Sequence, residues 1–294
     1  MPLTSIHAVI QQKLKELFSF STNEIHFSSV GGGCINETYQ LKMGAQQFFC
    51  KLNSASKFPH LFEKEKTGLE LIAAQNIIKT PNVVHCFESG DQQVLLLEWI
   101  QEGEKTGSFW KLFGEQLASL HQTSDESFGL DENNYMGSIP QYNQPTDNWI
   151  DFFIQRRLQP LIEKCFHENL LAPKHGSQFE KLYKEISSVF DEHQKPSLLH
   201  GDLWRGNFMC NQDSKPVLID TAIYFGHPSA DLGMTTLFGG FDSQFYEAYN
   251  YHSPFPSKYK EQWKICNLYP LLIHLLLFGK SYLSQIEQTL HSYI

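Results

Sequence analysis

The stretch His200-Gly201-Asp202-Leu203-Trp204-Arg205-Gly206-Asn207 is followed, thirteen positions after Asn207, by Asp220. Phe208–Cys210 and Val217–Ile219 read as paired strands around a turn-like segment at 211–216, which brings Asn207 and Asp220 to the mouth of one hairpin. An amide oxygen and a carboxylate held there are hard ligands suited to magnesium shared with substrate phosphates. Asp202, five residues before Asn207, then faces an acceptor hydroxyl and is the candidate catalytic base. The D-x-x-x-x-N spacing followed by a strand-borne aspartate is that of a phosphoryl-transfer catalytic loop.

The N-terminal third supplies matching parts. Gly31, Gly32 and Gly33, at a hairpin tip, can cover phosphates closely because glycine has no Cβ and leaves its N–H groups free to point inward. Lys51 ends the apolar run Phe48-Phe49-Cys50, so its stem lies inside the lobe and its ammonium needs a partner. Glu65 offers one: three residues after Phe62 and four before Leu69, it occupies the apolar stripe of a helix, where a leucine would be expected. The two make a pair that orients α- and β-phosphates. Glycine loop, Lys–Glu pair and catalytic loop occur in the order that phosphoryl transfer from a nucleotide requires. A protein kinase with a phosphorylatable activation loop is disfavoured by the H-G-D form, by the ten residues between Asp220 and Asp231, and by the lack of an A-P-E terminator.

Positioning these side chains calls for two bodies of different character. Residues 25–99 are strand-rich, with one helical segment at 61–74. The polar stretch Gln101–Ser108 reads as a linker, and the rest is mainly helical, with helices expected over 109–122, 149–167, 179–193, 243–251, 258–279 and 280–291 and a long loop over 125–148. The fold expected is α+β and bilobal, a small β-rich lobe at 1–100 for the nucleotide and a larger helical lobe at 101–294 for catalysis and substrate.

Composition narrows the partners. The 294 residues carry 23 Lys+Arg against 32 Asp+Glu, a net charge of -9, which removes the basic footprint of a nucleic-acid binder. Residues 101–294 hold 15 Lys+Arg and 23 Asp+Glu, so the acidic excess lies there and favours cationic ligands. The longest apolar run, 271–278, is far short of the ~20 residues of a membrane span. With no continuous apolar segment at the N-terminus and six dispersed cysteines, the expected setting is cytoplasmic with reduced thiols. Cys34, directly after the glycines, is the exception: as an accessible thiol on the phosphate loop it is a candidate redox brake.

His200–Asn207, Ile219-Asp220, Tyr224–His227, Ala230-Asp231-Leu232 and Met234–Phe241 resemble the fructosamine (ketosamine) kinase family, within the aminoglycoside-phosphotransferase-like branch of the protein-kinase-like fold. The resemblance extends to Gly31–Asn36, Phe62–Glu65, Gly68-Leu69, Phe128-Gly129 and Gly137-Ser138, so it spans nearly the whole chain. It implies ATP-dependent phosphorylation of the sugar 3-hydroxyl of a ketosamine, free or protein-bound. By position it implies Asp202 as base, Asn207 and Asp220 as metal ligands, Lys51 with Glu65 on the phosphates, and backbone groups of Glu98 and Ile100 on adenine. Asp231 would brace the catalytic loop, Trp204 would form an apolar wall for the sugar, and His227 would bond a sugar hydroxyl. Thr221 and Pro228-Ser229 depart from the family pattern, the latter near the presumed sugar pocket. The alternatives are a kinase of choline or an aminoglycoside, and a nucleotide-binding pseudokinase.

Overall fold

Alternation along the strands decides the layering of the N-terminal part. The computed structural model describes residues 3–18, 24–31, 35–191 and 193–293. Helix α1 (Leu3–Leu17) is followed by β1 (His26–Ser29), β2 (Glu37–Met43) and β3 (Gln46–Ser54), then α2 (Leu61–Ala74), β4 (Val83–Ser89) and β5 (Gln92–Glu98). The five strands form one antiparallel sheet in the order β1-β2-β3-β5-β4. Phe48, Cys50 and Leu52 of β3 face α1 and pack with Ile6, Ile10 and Leu14. Phe49 and Lys51 have the opposite parity and face α2, whose Phe62 and Leu69 pack with Leu95 and Leu97 of β5. The parity of β3 therefore commits Lys51 to the side on which Glu65 lies.

The remaining chain is mainly helical. It comprises α3 (Gly107–Leu120), the hairpin β6 (Asn134–Met136) and β7 (Ile139–Gln141), then α4 (Trp149–Phe152), a π turn (Phe153–Leu158) and α5 (Gln159–His167) in one continuous helical run. After α6 (Pro173–Glu185) come β8 (Ser197–Leu199), β9 (Phe208–Cys210), β10 (Pro216–Leu218) and β11 (Tyr224–Gly226). Strands β9 and β10 pair with each other, and β8 pairs with β11. The chain ends in α7 (Ser229–Thr235), α8 (Ser243–His252), α9 (Tyr259–Cys266), α10 (Leu268–Phe278) and α11 (Leu283–His291). Among the described residues no helix is long and apolar enough to cross a membrane, and Cys50, Cys86, Cys165, Cys210 and Cys266 are unpaired.

Several boundaries differ from the sequence expectation for physical reasons. The helix expected over 179–193 starts at Pro173, which suits the first helical turn because its missing N–H is not needed there, and gives way to a short 3-10 turn after Glu185. The helix expected over 258–279 is two helices meeting at Asn267, because Pro270 has no N–H to bond the carbonyl a turn earlier. The 125–148 loop contains β6 and β7, turned at Gly137 with φ 60. The 101–108 stretch is docked: Gly103 N–H donates to the Cys210 carbonyl at 2.8 Å and Glu102 bridges Asn211. Of the glycine tip, Gly31 is described and has open space around it; Gly32, Gly33 and Cys34 lie outside the described residues.

Candidate active site

Strand β8 delivers the chain into the loop 200–207, and the loop is pinned from below. Gly201 adopts φ 83, and a Cβ there would run into the Ala222 carbonyl, so only glycine lets the loop close on the 220–222 segment. Asp231, in the first turn of α7, accepts the His200 N–H at 2.7 Å and the Gly201 N–H at 2.9 Å. Its Oδ2 also meets His121 Nε2 at 3.3 Å. Burial alone would raise the Asp231 carboxyl; His121, then His200 and the Gly201 N–H, outweigh it and hold the group below the usual carboxylate range. The His200 ring donates from Nε2 to the Ile219 carbonyl at 2.9 Å and accepts the Asp202 N–H on Nδ1 at 3.2 Å. Burial pushes its pKa down, which keeps that tautomer neutral.

Asp202 is half-buried at the base of a cleft. Asn207 Nδ2 donates to both its carbonyl and its Oδ2 at 2.9 Å, which fixes the carboxylate and turns the Asn207 amide oxygen away. Burial, followed by the charges of Asp220 and Asp231, pushes the Asp202 carboxyl up to about 7, a value suited to a group that takes a proton near neutrality. Asp220 lies two residues past the β9–β10 pairing, with φ 55. Lys51, 2 % exposed, reaches Glu65 Oε1 and Asp220 Oδ1, each at 2.6 Å. Burial opposes the ammonium, but the two carboxylates prevail and raise its pKa, so Lys51 is charged.

The donor set fits magnesium. Asn207 and Asp220 carry hard oxygens that line the same cleft, Asn207 opposite Ile219 at the end of the hairpin and Asp220 one residue beyond it. No cluster of three or more His, Cys, Asp or Glu able to hold a metal occurs among the described residues. Two protein oxygens are as many as magnesium commonly takes from a protein at a nucleotide site.

The cleft, of about 220 Å³, is lined by Lys51, Glu65 and Asp220, by Trp204, and by Tyr135 and Met136, with Tyr135 also packed against α2. Trp204 lies flat over Gly206, where a Cβ would strike its ring, and packs edge-on against Phe238 at 5.8 Å. Ile273, His274, Leu277 and Phe278 of α10 complete this wall. His274 Nδ1 donates to the Pro270 carbonyl at 2.7 Å, and burial lowers its pKa, so Nε2 is a neutral acceptor. The α10 residues and the β6–β7 hairpin escaped the sequence reading. Both come from segments remote in the chain from the catalytic loop, and the signal available for them was the inclusion of His274 in an otherwise apolar run.

His227 is not brought to this cleft. Gly226 pairs with Ser197, the residue of β8 farthest from the catalytic loop, so His227 emerges at the opposite end of that strand pair. It is 4 % exposed, packed against Phe190 at 5.1 Å, and lines a separate cavity with His121 and Tyr249. Burial and then His121 depress its pKa to about 3. The neighbouring Pro228 and Ser229 sit with it, away from Trp204. Glu98 uses its N–H on the Asn82 carbonyl at 2.8 Å and its carboxylate on Lys79 at 2.6 Å, leaving its carbonyl to offer; neither Glu98 nor buried Ile100 lines the cleft around Asp202.

The chain is 37 % identical over 267 residues to a probable ketoamine kinase of Synechocystis, covering 89 % of this chain and 88 % of that one. It is 33 % identical over 281 residues to the chloroplastic protein-ribulosamine 3-kinase of Arabidopsis thaliana, covering 93 % and 84 %. The crystal structure of a candidate fructosamine-3-kinase from Thermobifida fusca superposes with a TM-score of 0.86 at 28 % identity, covering 97 % and 98 % of the two chains. With the fructosamine kinase family model matching residues 3–294, the chain belongs to the fructosamine kinase family.

Proposed function

We propose that this protein is an ATP-dependent ketosamine kinase in which residues 1–100 present the nucleotide and residues 101–294 supply catalysis and the acceptor pocket. The observation that carries the reading is the Asp202 carboxylate, fixed by Asn207 between the Lys51–Glu65–Asp220 group and the aromatic wall at Trp204. The nucleotide phosphates lie on the Lys51 side, under the loop that contains Gly31, with adenine toward the carbonyl of Glu98 and the backbone of Ile100. The acceptor sugar lies against Trp204, with His274 Nε2 available to a hydroxyl or to the secondary ammonium. Asp202 takes the proton of the sugar 3-hydroxyl as its oxygen bonds the γ-phosphorus and the bond to the ADP oxygen breaks. Asn207 and Asp220 would hold magnesium, which would supply charge neutralisation of the phosphate oxygens. The reading expects a cytoplasmic setting, where ATP is available.

The direct test is a product NMR spectrum after incubation with a ketosamine and ATP, with phosphorus coupling expected at C3 of the sugar. If choline or an aminoglycoside gives a higher kcat/KM than every ketosamine tested, the acceptor assignment falls and the kinase assignment stands. Asn207→Ala and Asp220→Ala should raise the magnesium concentration needed for activity, Asp220→Ala the more because a full charge goes. Their effects should be less than additive, since both ligands hold one unit. Unchanged magnesium dependence in Asp220→Ala would remove the assignment. Trp204→Ala should raise KM for the ketosamine more than KM for ATP, because a sugar-facing contact is lost from one substrate only; an equal rise in both would make Trp204 a loop anchor.

A further inference from the structure

Arg157, in the π turn, is the largest fully buried side chain among the described residues. Its guanidinium lies over the rings of Tyr224, Phe152 and Tyr269, at 4.1, 4.5 and 5.3 Å. No carboxylate of the described residues pairs with it: its hydrogen bonds go to the Tyr142 and Arg156 carbonyls and, at 2.7 Å, to Asn143 Oδ1. An isolated cation at such a depth is costly, and an apolar side chain could fill the same cage without the desolvation penalty. What an apolar side chain could not do is hold the amides beyond it.

Those amides form a directional chain. Asn143 Nδ2 donates to Asn134 Oδ1 at 3.0 Å, and Asn134 Nδ2 donates to the Ile223 carbonyl at 2.8 Å. Gln141 Nε2 donates to Asn134 Oδ1 at 2.8 Å and to the Ala222 carbonyl at 2.9 Å, and Tyr269 OH closes on Gln141 Oε1 at 3.0 Å. Ala222 N–H in turn donates to the His200 carbonyl at 2.9 Å. Asn134 and Gln141 belong to the β6–β7 hairpin, from which Tyr135, Met136 and Gly137 line the cleft. We propose that Arg157 is a positioning residue for the acceptor side of the cleft, holding this hairpin against the 222–223 segment through Asn143, Asn134 and Gln141. The anchoring cation polarises the first amide, and the two N–H groups of Asn143 and of Gln141 each have an acceptor in place, the Glu132 carbonyl and Asn134 Oδ1 for the one and Asn134 Oδ1 and the Ala222 carbonyl for the other, so the hairpin has one seat. The hairpin also touches α2, just before which the Pro59 carbonyl accepts from Tyr135 OH at 3.1 Å, but it makes none of the Lys51–Glu65–Asp220 contacts, so its shift moves Tyr135, Met136 and Gly137 while those contacts hold.

The kinetic readout rests on the kinase reading above; a second readout does not. Asn143→Asp gives Arg157 a carboxylate of the same size, so the cation is better held, but a carboxylate cannot donate to Asn134 Oδ1 and the link to the hairpin is cut. Arg157→Lys keeps the charge and loses the fork. Both variants should raise KM for the acceptor about five- to twentyfold while KM for ATP stays within about twofold. Backbone amides of 134–141 should exchange hydrogen at least about tenfold faster in Asn143→Asp, with α3 unchanged. Unchanged hairpin exchange in Asn143→Asp, a wild-type acceptor KM, or parallel rises in both KM values overturn the proposal. If the wild type phosphorylates no ketosamine, the function reading fails by itself, and the exchange measurement still decides this one.

Discussion

Asp202→Ala is expected to lower kcat by roughly 10² to 10⁴, the range for removing a positioned general base. KM for ATP should stay within about twofold, because the groups facing the phosphates, Lys51, Glu65 and Asp220, do not depend on Asp202 for their mutual contacts. Single-turnover phosphoryl transfer under saturating ATP is the measurement, since it isolates the chemical step. A variant keeping more than about a third of wild-type kcat would move the role elsewhere. The pH dependence carries the same assignment: with the free carboxyl at about 7, kcat/KM for ATP should fall as pH drops below 7 and the base is protonated. The Asp202→Ala variant should lose that limb of the profile.

Asp231→Ala should be the most damaging single change to stability among the residues discussed. It strands the His200 and Gly201 N–H groups and leaves the buried His121 ring with Tyr249 alone. Removing one partner of a buried charged cluster costs about 3 to 5 kcal/mol, to be read as a loss of denaturant midpoint at constant m. Asp231→Asn should not restore it, because an amide N–H2 would face one of the two backbone donors. A loss below about 1 kcal/mol for the alanine variant would return Asp231 to the status of an ordinary helix-start residue. The linkage has a definite sign. A carboxyl held below its usual value adds stability that is complete above the unfolded pKa of about 3.9 and disappears as pH falls through the folded one. The brace therefore stays ionised while ordinary carboxylates protonate, and its share of the stability is lost only as pH falls below about 3.9.

The meeting of Lys51 with Glu65 was legible from the apolar run before Lys51 and the helical spacing of Glu65, both local properties. The facing of Asn207 and Asp220 followed from the length of one short hairpin. His227 was misplaced because sequence order does not reveal that β11 runs back along β8, so that advancing in the chain retreats from the catalytic loop. The acceptor wall was missed for a related reason: Tyr135, Met136 and His274 meet Trp204 only through tertiary packing, and their types, aromatic or apolar, are those of any core. Arg157 was invisible as well, since a basic residue in a helical run reads as a solvated face, and only the π turn rotates it into the aromatic cage.

Lys51 ties α2 to the segment that follows β10, and it does not act alone. Gly68 packs against Thr221 so closely that a Cβ would collide with the threonine hydroxyl. Lys79 bridges Val217, Leu218 N–H donates to the Lys79 carbonyl at 2.8 Å, and Gly103 is bonded to β9. The boundary near residue 100 is thus a change in secondary structure and not a seam along which the chain comes apart. A fragment ending there would carry a buried ammonium with half its counter-charge and an α2 surface shaped for a missing neighbour. Split at that point, each piece is expected to lack a partner surface that only the other supplies, so activity should return only when both are present.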